Sequence, residues 1–350
     1  MRHASARLAL ASLVALAACE VPTSVPKYDT EWDVPADSTS ISVNSLLPSG
    51  VTATPDNSGF EVAVSPSTTT ITRQLSQDCS VCAASNGLTI PKPAFIGGGS
   101  SGIALPASVG SATLARDTVT VSITNGFNFD PIRPSATARG YLIIQVASGS
   151  AIVGRDSVDG SETAISPGTT VIRKIALSGT LNGAAGLQVT TTLNSPAGDP
   201  VAMDATRSIT VSGTVGQLLI AAAQVSLAGQ AVSAAGSTLD LSSIGRTVGN
   251  HASGGSLVLN LNNPFTVTGN MNVTITGGDT PIVRTVALTA GQSEPVITFS
   301  SSELQGLIGH QLAVGFAGIV SGGSVTVQPG QILSVSSRLQ IALNTAGVTN

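Results

Sequence analysis

Asp117-Thr118-Val119-Thr120-Val121-Ser122-Ile123-Thr124 is the stretch that decides the fold. Val119, Val121 and Ile123 alternate with Thr120, Ser122 and Thr124, so an extended chain here is apolar on one side and hydroxyl-bearing on the other. Period two marks a half-buried antiparallel strand, and β-branched residues fit its pleated surface. The pattern recurs at Val325-Thr326-Val327, and short strands of this kind are separated by turn signals at Asp159-Gly160, Gly198-Asp199-Pro200, Gly277-Gly278-Asp279 and Gly322-Gly323. The expected fold is all-β, built of antiparallel β-sandwich units.

Two similar units in tandem are expected, over 117–230 and 240–350. Gly140 to Val146 (GYLIIQV) resembles Gly255 to Leu261 (GSLVLNL), and Val171 to Leu177 (VIRKIAL) resembles Ile282 to Leu288 (IVRTVAL). Residues two apart on a strand share a face. Leu142, Ile144 and Val146 in one unit, and Leu257, Leu259 and Leu261 in the other, are therefore the expected core positions, with Gln145 and Asn260 on the wetter side. Ser300 and Glu303 have capping-box spacing ahead of Leu304, Leu307 and Ile308, which predicts one short helix near 301–308. The charge-free run Leu218 to Ala235 is long enough to raise a membrane span. Gln217, Gln224 and Gln230 put polar groups on several of its sides, which favours buried strands.

Ahead of these units the chain reads in three parts. Met1, Arg2 and Arg7 precede a mainly apolar run, Leu8 to Ala18, of signal-peptide length and too short to span a bilayer. It ends Leu16-Ala17-Ala18-Cys19, which resembles the lipobox of bacterial lipoproteins. That resemblance implies a leader over 1–18, cleavage before Cys19, and acyl chains including palmitate on Cys19 as the membrane anchor. Three such chains anchor a protein effectively permanently. Glu20, where enteric lipoproteins retained in the inner membrane tend to carry aspartate, leans toward the outer membrane of the cell envelope. Pro22, Pro26 and Pro35 make residues 19–38 an extended tether, with Trp32 docking its end on the body. Residues 39–116 read as N-terminal strands followed by a loop-rich region.

Composition narrows the function classes. The chain is 42% hydrophobic, 10% charged and 3% aromatic, with net charge −4. Low charge with positive mean hydropathy indicates a folded chain. No basic cluster follows the leader, so no nucleic-acid partner is expected. One Trp and two Tyr are too few for the aromatic girdles of a transmembrane β-barrel.

Chemistry-bearing candidates are sparse. Cys79 and Cys82 form a C-x-x-C in an exported chain, where disulfides persist. A structural disulfide is expected over a redox centre or half a zinc site, since the loop around them offers neither the helix start nor the further ligands those need. Gly98-Gly99-Ser100-Ser101-Gly102 matches G-x-S-x-G but reads as a loop before Pro106 rather than a strand-to-helix elbow. His251 and His310 have no recognisable acidic partner motif. Asp156, Asp159 and Glu162 could face calcium, although Asp159-Gly160 suits a hairpin turn better. No catalytic residue, metal or cofactor is expected. Asn262-Asn263-Pro264-Phe265, opening the run Thr266 to Ile275, resembles late-embryogenesis-abundant water-stress β-sandwiches and tubular lipid-binding modules. That resemblance implies a lipid or hydrophobic-ligand carrier. The reading from the residues is a non-enzymatic structural or binding module of the envelope, with an envelope protein or lipid as partner, and an envelope hydrolase ranks third.

Overall fold

The computed structural model describes residues 29–227 and 229–344; Cys19, Glu20 and the chain up to residue 28 lie outside the described residues. The fold is all-β, with antiparallel sheets, short helices at Leu75–Asp78, Ser80–Ala84, Arg246–Gly249 and Ser301–Leu307, and a 3-10 turn at Val43–Leu46. The alternation around Val119 is expressed directly: Val119, Val121 and Ile123 are wholly buried, while Thr118 and Thr124 are exposed. No helix among the described residues is long and apolar enough to cross a membrane. The run from Leu218 forms two strands, Leu218–Leu227 and Gln230–Asp240.

The first sandwich packs one four-stranded sheet, Thr170–Leu177, Asp117–Asn125, Ser208–Thr214 and Thr68–Gln74, on a second, Ala151–Asp159, Tyr141–Ser148, Leu187–Ser195 and Phe95–Ile103. Numbered in chain order within the sandwich, the eight strands lie 6-3-8-1 and 5-4-7-2, the jelly-roll order of two interlocked Greek keys. The second sandwich repeats it. Gly291–Ser293 with Val296–Phe299, then Ala252–Asn263, Ile332–Asn344, and Asp29–Pro35 with Thr39–Ser42 make one sheet. Ile282–Leu288, Thr268–Thr276, Gln311–Ser321 and Gln230–Asp240 make the other. Leu142, Ile144, Val146, Leu257, Leu259 and Leu261 are all buried, as the period-two reading requires; Asn260 and Gln145 are partly exposed.

Three margins differ from the sequence reading. Thr68–Gln74 and Phe95–Ile103, placed in an N-terminal region ending at 116, are the first two strands of the first sandwich. Asp29–Pro35, read as tether, pairs along Arg338 to Asn344 and belongs to the second sandwich. The whole first sandwich is therefore inserted between the first and second strands of the second. The internal similarity also matched strands that are not equivalents. By topology, Asp117–Asn125 corresponds to Ala252–Asn263, and Tyr141–Ser148 to Thr268–Thr276. Half-buried strands of one composition look alike, and only pairing separates them.

A third, linking sheet joins the sandwiches. Leu218–Leu227 pairs with Phe60–Val62 through Leu218 to Ile220, with Val109–Leu114 through Ile220 to Val225, and with Gly323–Val327, reached from the second sandwich, through Ala223 to Leu227.

Candidate functional site

The most elaborated surface lies at the end of the first sandwich opposite the linking sheet. Here four long connections meet, residues 75–94, 126–140, 160–169 and 196–207. Strand Thr68–Gln74 ends in a capping box between Gln74 and Gln77, which starts the turn Leu75–Asp78. Cys79 then caps Ser80–Ala84, its Sγ accepting from Cys82 N at 3.1 Å, and the two cysteines form a disulfide with Cα atoms 5.2 Å apart. The sequence reading had no helix here. The structure does put the C-x-x-C at a helix start, but both cysteines are buried, so neither sulfur is presented to a substrate.

Charged side chains at this end are spent on one another and on its own backbone. Arg73 pairs with the nearly buried Asp78 at 2.5 Å, and Asp78 sits against Gly97, where a Cβ would collide with its carboxylate. Part of the Gly97 to Gly102 run is thus a steric requirement. Lys92 is buried, donating to the carbonyls of Pro93 (2.9 Å) and Pro196 (2.5 Å) with its ammonium over the rings of Phe95 and Phe129. Burial pushes its amine down to about 8. Phe95, Phe127 and Phe129 form a cluster with centroids 5.3–6.4 Å apart. Asp130 accepts from the N–H groups of Ile132, Arg133 and Ile165, and Arg133 donates to the carbonyls of Gly160 and Ser161. What remains outside is a mixed surface in which Ala136, Thr137 and Arg139 are exposed together with the apolar Val81 and Leu88. Such an arrangement can hold a fixed recognition surface; it does not bring a nucleophile and a base together.

Elsewhere the candidates separate. Ser100 lies in a regular strand opposite Thr190, not in a loop and not at an elbow. His251 and His310 belong to the second sandwich, His310 Nε2 lying 3.4 Å from Asp279 Oδ1. Asp156 is held by Arg173 Nε at 2.7 Å, and that guanidinium keeps its carboxyl below the usual carboxylate range. Asp159 accepts from Ser161 N at 2.7 Å, the turn geometry expected of Asp159-Gly160. Among the described residues, no cluster of three His, Cys, Asp or Glu has the geometry of a metal site.

Sequence reasoning missed the pair that organises both sandwiches. Asn125, buried at a strand end, donates to Phe129 O and Ile165 O and accepts from Phe127 N. Asn263 does the same with Val267 O, Thr289 O and Phe265 N. Asn263 is therefore the last residue of a strand and a corner clamp, not the opening of one. The available signal was the repeated Asn-x-Phe, at 125–127 and 263–265, after an alternating strand.

The clefts are open: two, of about 500 Å³ over Ala115, Arg116, Ala176 and Leu177 and about 420 Å³ over Pro66, Ile103, Leu105 and Ala107, have mainly apolar walls, and two more are mixed or polar. One of about 440 Å³ lies over Asn260, Asn262, Gln292, Ser293 and Ser334, and one of about 510 Å³ over Tyr141, Ile143, Arg155 and Asp159. A void between the sheets of the first sandwich, beside Ile71, Leu142, Leu193 and Val211, holds about 10 Å³.

No family model and no curated protein matches the chain. Among solved structures, a protein described as secreted, from Parabacteroides distasonis ATCC 8503, aligns over 89% of this chain and 99% of its own at 8% identity and TM-score 0.33. A Broad Bean Stain Virus chain aligns over 93% and 94% at 10% identity and TM-score 0.19. The N-terminal domain of the Streptococcus gordonii adhesin Sgo0707 aligns over 71% and 61%, at 10% and 0.19. Overlaps this loose carry no argument about fold or activity.

Proposed function

We propose that the chain is a membrane-anchored lipoprotein of the cell envelope, acting as a non-enzymatic structural or binding module. The anchor rests on Leu16-Ala17-Ala18-Cys19. The observation that carries the module reading is the filled interior of the first sandwich. A carrier of lipid or another hydrophobic ligand needs an apolar cavity of roughly 300–1,000 Å³, whereas the void between the sheets is about one water in size. The same reading accounts for Asp78, Lys92, Asp130 and Arg133 being bonded into the fold instead of facing a cleft.

Two measurements on one preparation test it. Cys19→Ser is expected to move the protein from the detergent-requiring fraction to the soluble one; continued membrane fractionation would remove the anchor. Native mass spectrometry of the detergent-released protein is expected to show covalent lipid on Cys19 and no further lipid. A co-purifying, non-covalent lipid would replace the module reading with the carrier. Hydrolase chemistry would return only if activity in a substrate screen fell on Ser100→Ala.

A further inference from the structure

We infer that the second sandwich is the membrane-proximal body, that its end formed by residues 240–251, 276–282 and 300–311 faces the lipid surface, and that the loop cluster of the first sandwich is held farthest from it. This rests on the anchoring proposed above and adds an orientation to it.

The argument follows the strands. The first described strand begins at Asp29, paired with Asn344, and Leu343 pairs with Ala252; these residues mark one end of the second sandwich. Asp240 pairs with Gln311 and Thr276 with Ala313 at the same end of the partner sheet. Helix Ser301–Leu307 and the segment 241–251 bridge the two sheets there, with Asp279 N bonded to Gly306 O and Leu241 N to His310 O. Asp29 lies ten residue steps after Cys19, a reach of at most roughly 36 Å even fully extended. A lipid on Cys19 therefore holds this end within that distance of the bilayer, while the opposite end of the strands can stand a full strand length farther out.

The first sandwich leaves from the opposite end. Ile332, Ser321 and Gln230 lie there, and Gly323–Val327 departs from it to pair with Leu218–Leu227 of the linking sheet. That sheet delivers the chain to Asp117 and Thr214 at the near end of the first sandwich. Gln74, Asn125, Tyr141 and Ser195 then mark its far end, beside the disulfide and the aromatic cluster. The order is membrane, second sandwich, linking sheet, first sandwich, loop cluster. Inserting one sandwich after the first strand of the other is what makes a chain anchored at its N-terminus project the inserted unit outward.

The test uses the full lipidated protein on vesicles of phosphatidylethanolamine and phosphatidylglycerol carrying a headgroup energy acceptor. Exposed Thr247 and Thr137 are replaced one at a time, Thr247→Cys and Thr137→Cys, and coupled to a donor dye; Cys79 and Cys82 are joined and do not label. The Thr247 label is expected to lose at least twice the fraction of its donor emission that the Thr137 label loses. Equal transfer from the two sites, or greater transfer from Thr137, overturns the orientation while leaving the anchor in place. Failure of the unmutated lipidated chain to float with vesicles overturns the anchor itself, and the orientation with it.

Discussion

Asn263→Ala should be among the most damaging single substitutions in the second sandwich. The side chain is buried and makes three bonds, Nδ2 to Val267 O at 3.1 Å and to Thr289 O at 2.9 Å, and Oδ1 from Phe265 N at 3.1 Å. Each such bond contributes about 1 kcal/mol net, and a buried backbone group left without its partner costs about 1–3 kcal/mol. Two carbonyls and one N–H are orphaned together. Partial relaxation and water entry reduce the sum, giving a loss of about 3–5 kcal/mol. Trp32 is the only tryptophan and lies in a strand paired across Ile341, so its fluorescence reports the second sandwich. With a urea dependence of about 2 kcal/mol per M for a unit of this size, the Trp32 transition should fall by roughly 1.5–2.5 M. The neighbouring Asn262 is exposed, and Asn262→Ala should cost less than about 0.5 kcal/mol. If the two alanine variants moved the Trp32 transition equally, the corner clamp would not be what holds this end of the sandwich, and its equivalence to Asn125 would lose its meaning.

Other expected outcomes follow from individual groups. The Cys79–Cys82 bridge closes a very short loop, so the double Cys→Ser variant should lose only about 2 kcal/mol by chain entropy, and the native protein should take up no thiol reagent without reductant; rapid labelling would contradict the bridge. Lys92 has its amine pushed down to about 8 by burial, from 10.5. The unfolded chain therefore binds more protons between those values, and stability should rise across about pH 8–10.5; urea midpoints of Lys92→Met should lack that slope. Asp117 is half-buried with one backbone donor, Leu219 N at 2.7 Å, and burial raises its carboxyl to about 6 from 3.8. Here the folded state binds more protons, so stability from this group is full below pH 3.8 and is lost as pH rises through 6. Asp117→Asn should flatten the urea midpoint over that window, and an unchanged slope would refute the assignment.

The strands themselves were legible because their cause is local. A residue two places along a strand returns to the same face, so Val119, Val121 and Ile123, or Leu257, Leu259 and Leu261, declare a buried side without reference to anything distant. Ser300 and Glu303 announced their helix for the same reason, since a capping box is complete within four residues. The disulfide partners were readable because only one pair of cysteines remains after Cys19. The Gly97–Gly102 run was misread as a loop: its glycines answer to Asp78, Ile71 and Thr191, residues brought in by a helical turn and two other strands. Lys92 shows no periodic signal, and its carbonyl and ring partners come from separate connections.

Pairing lies beyond the reach of a linear reading. Asp29–Pro35 finds its partner about three hundred residues away, and nothing in its composition selects Arg338 to Asn344 over any other Val- and Ser-rich strand. Strand-to-strand hydrogen bonds are made by backbone groups common to all residues, so the choice of neighbour is made collectively, by which arrangement closes both cores and clamps both Asn corners. That choice inserts one sandwich inside the other, and it sets which end stands next to the tether.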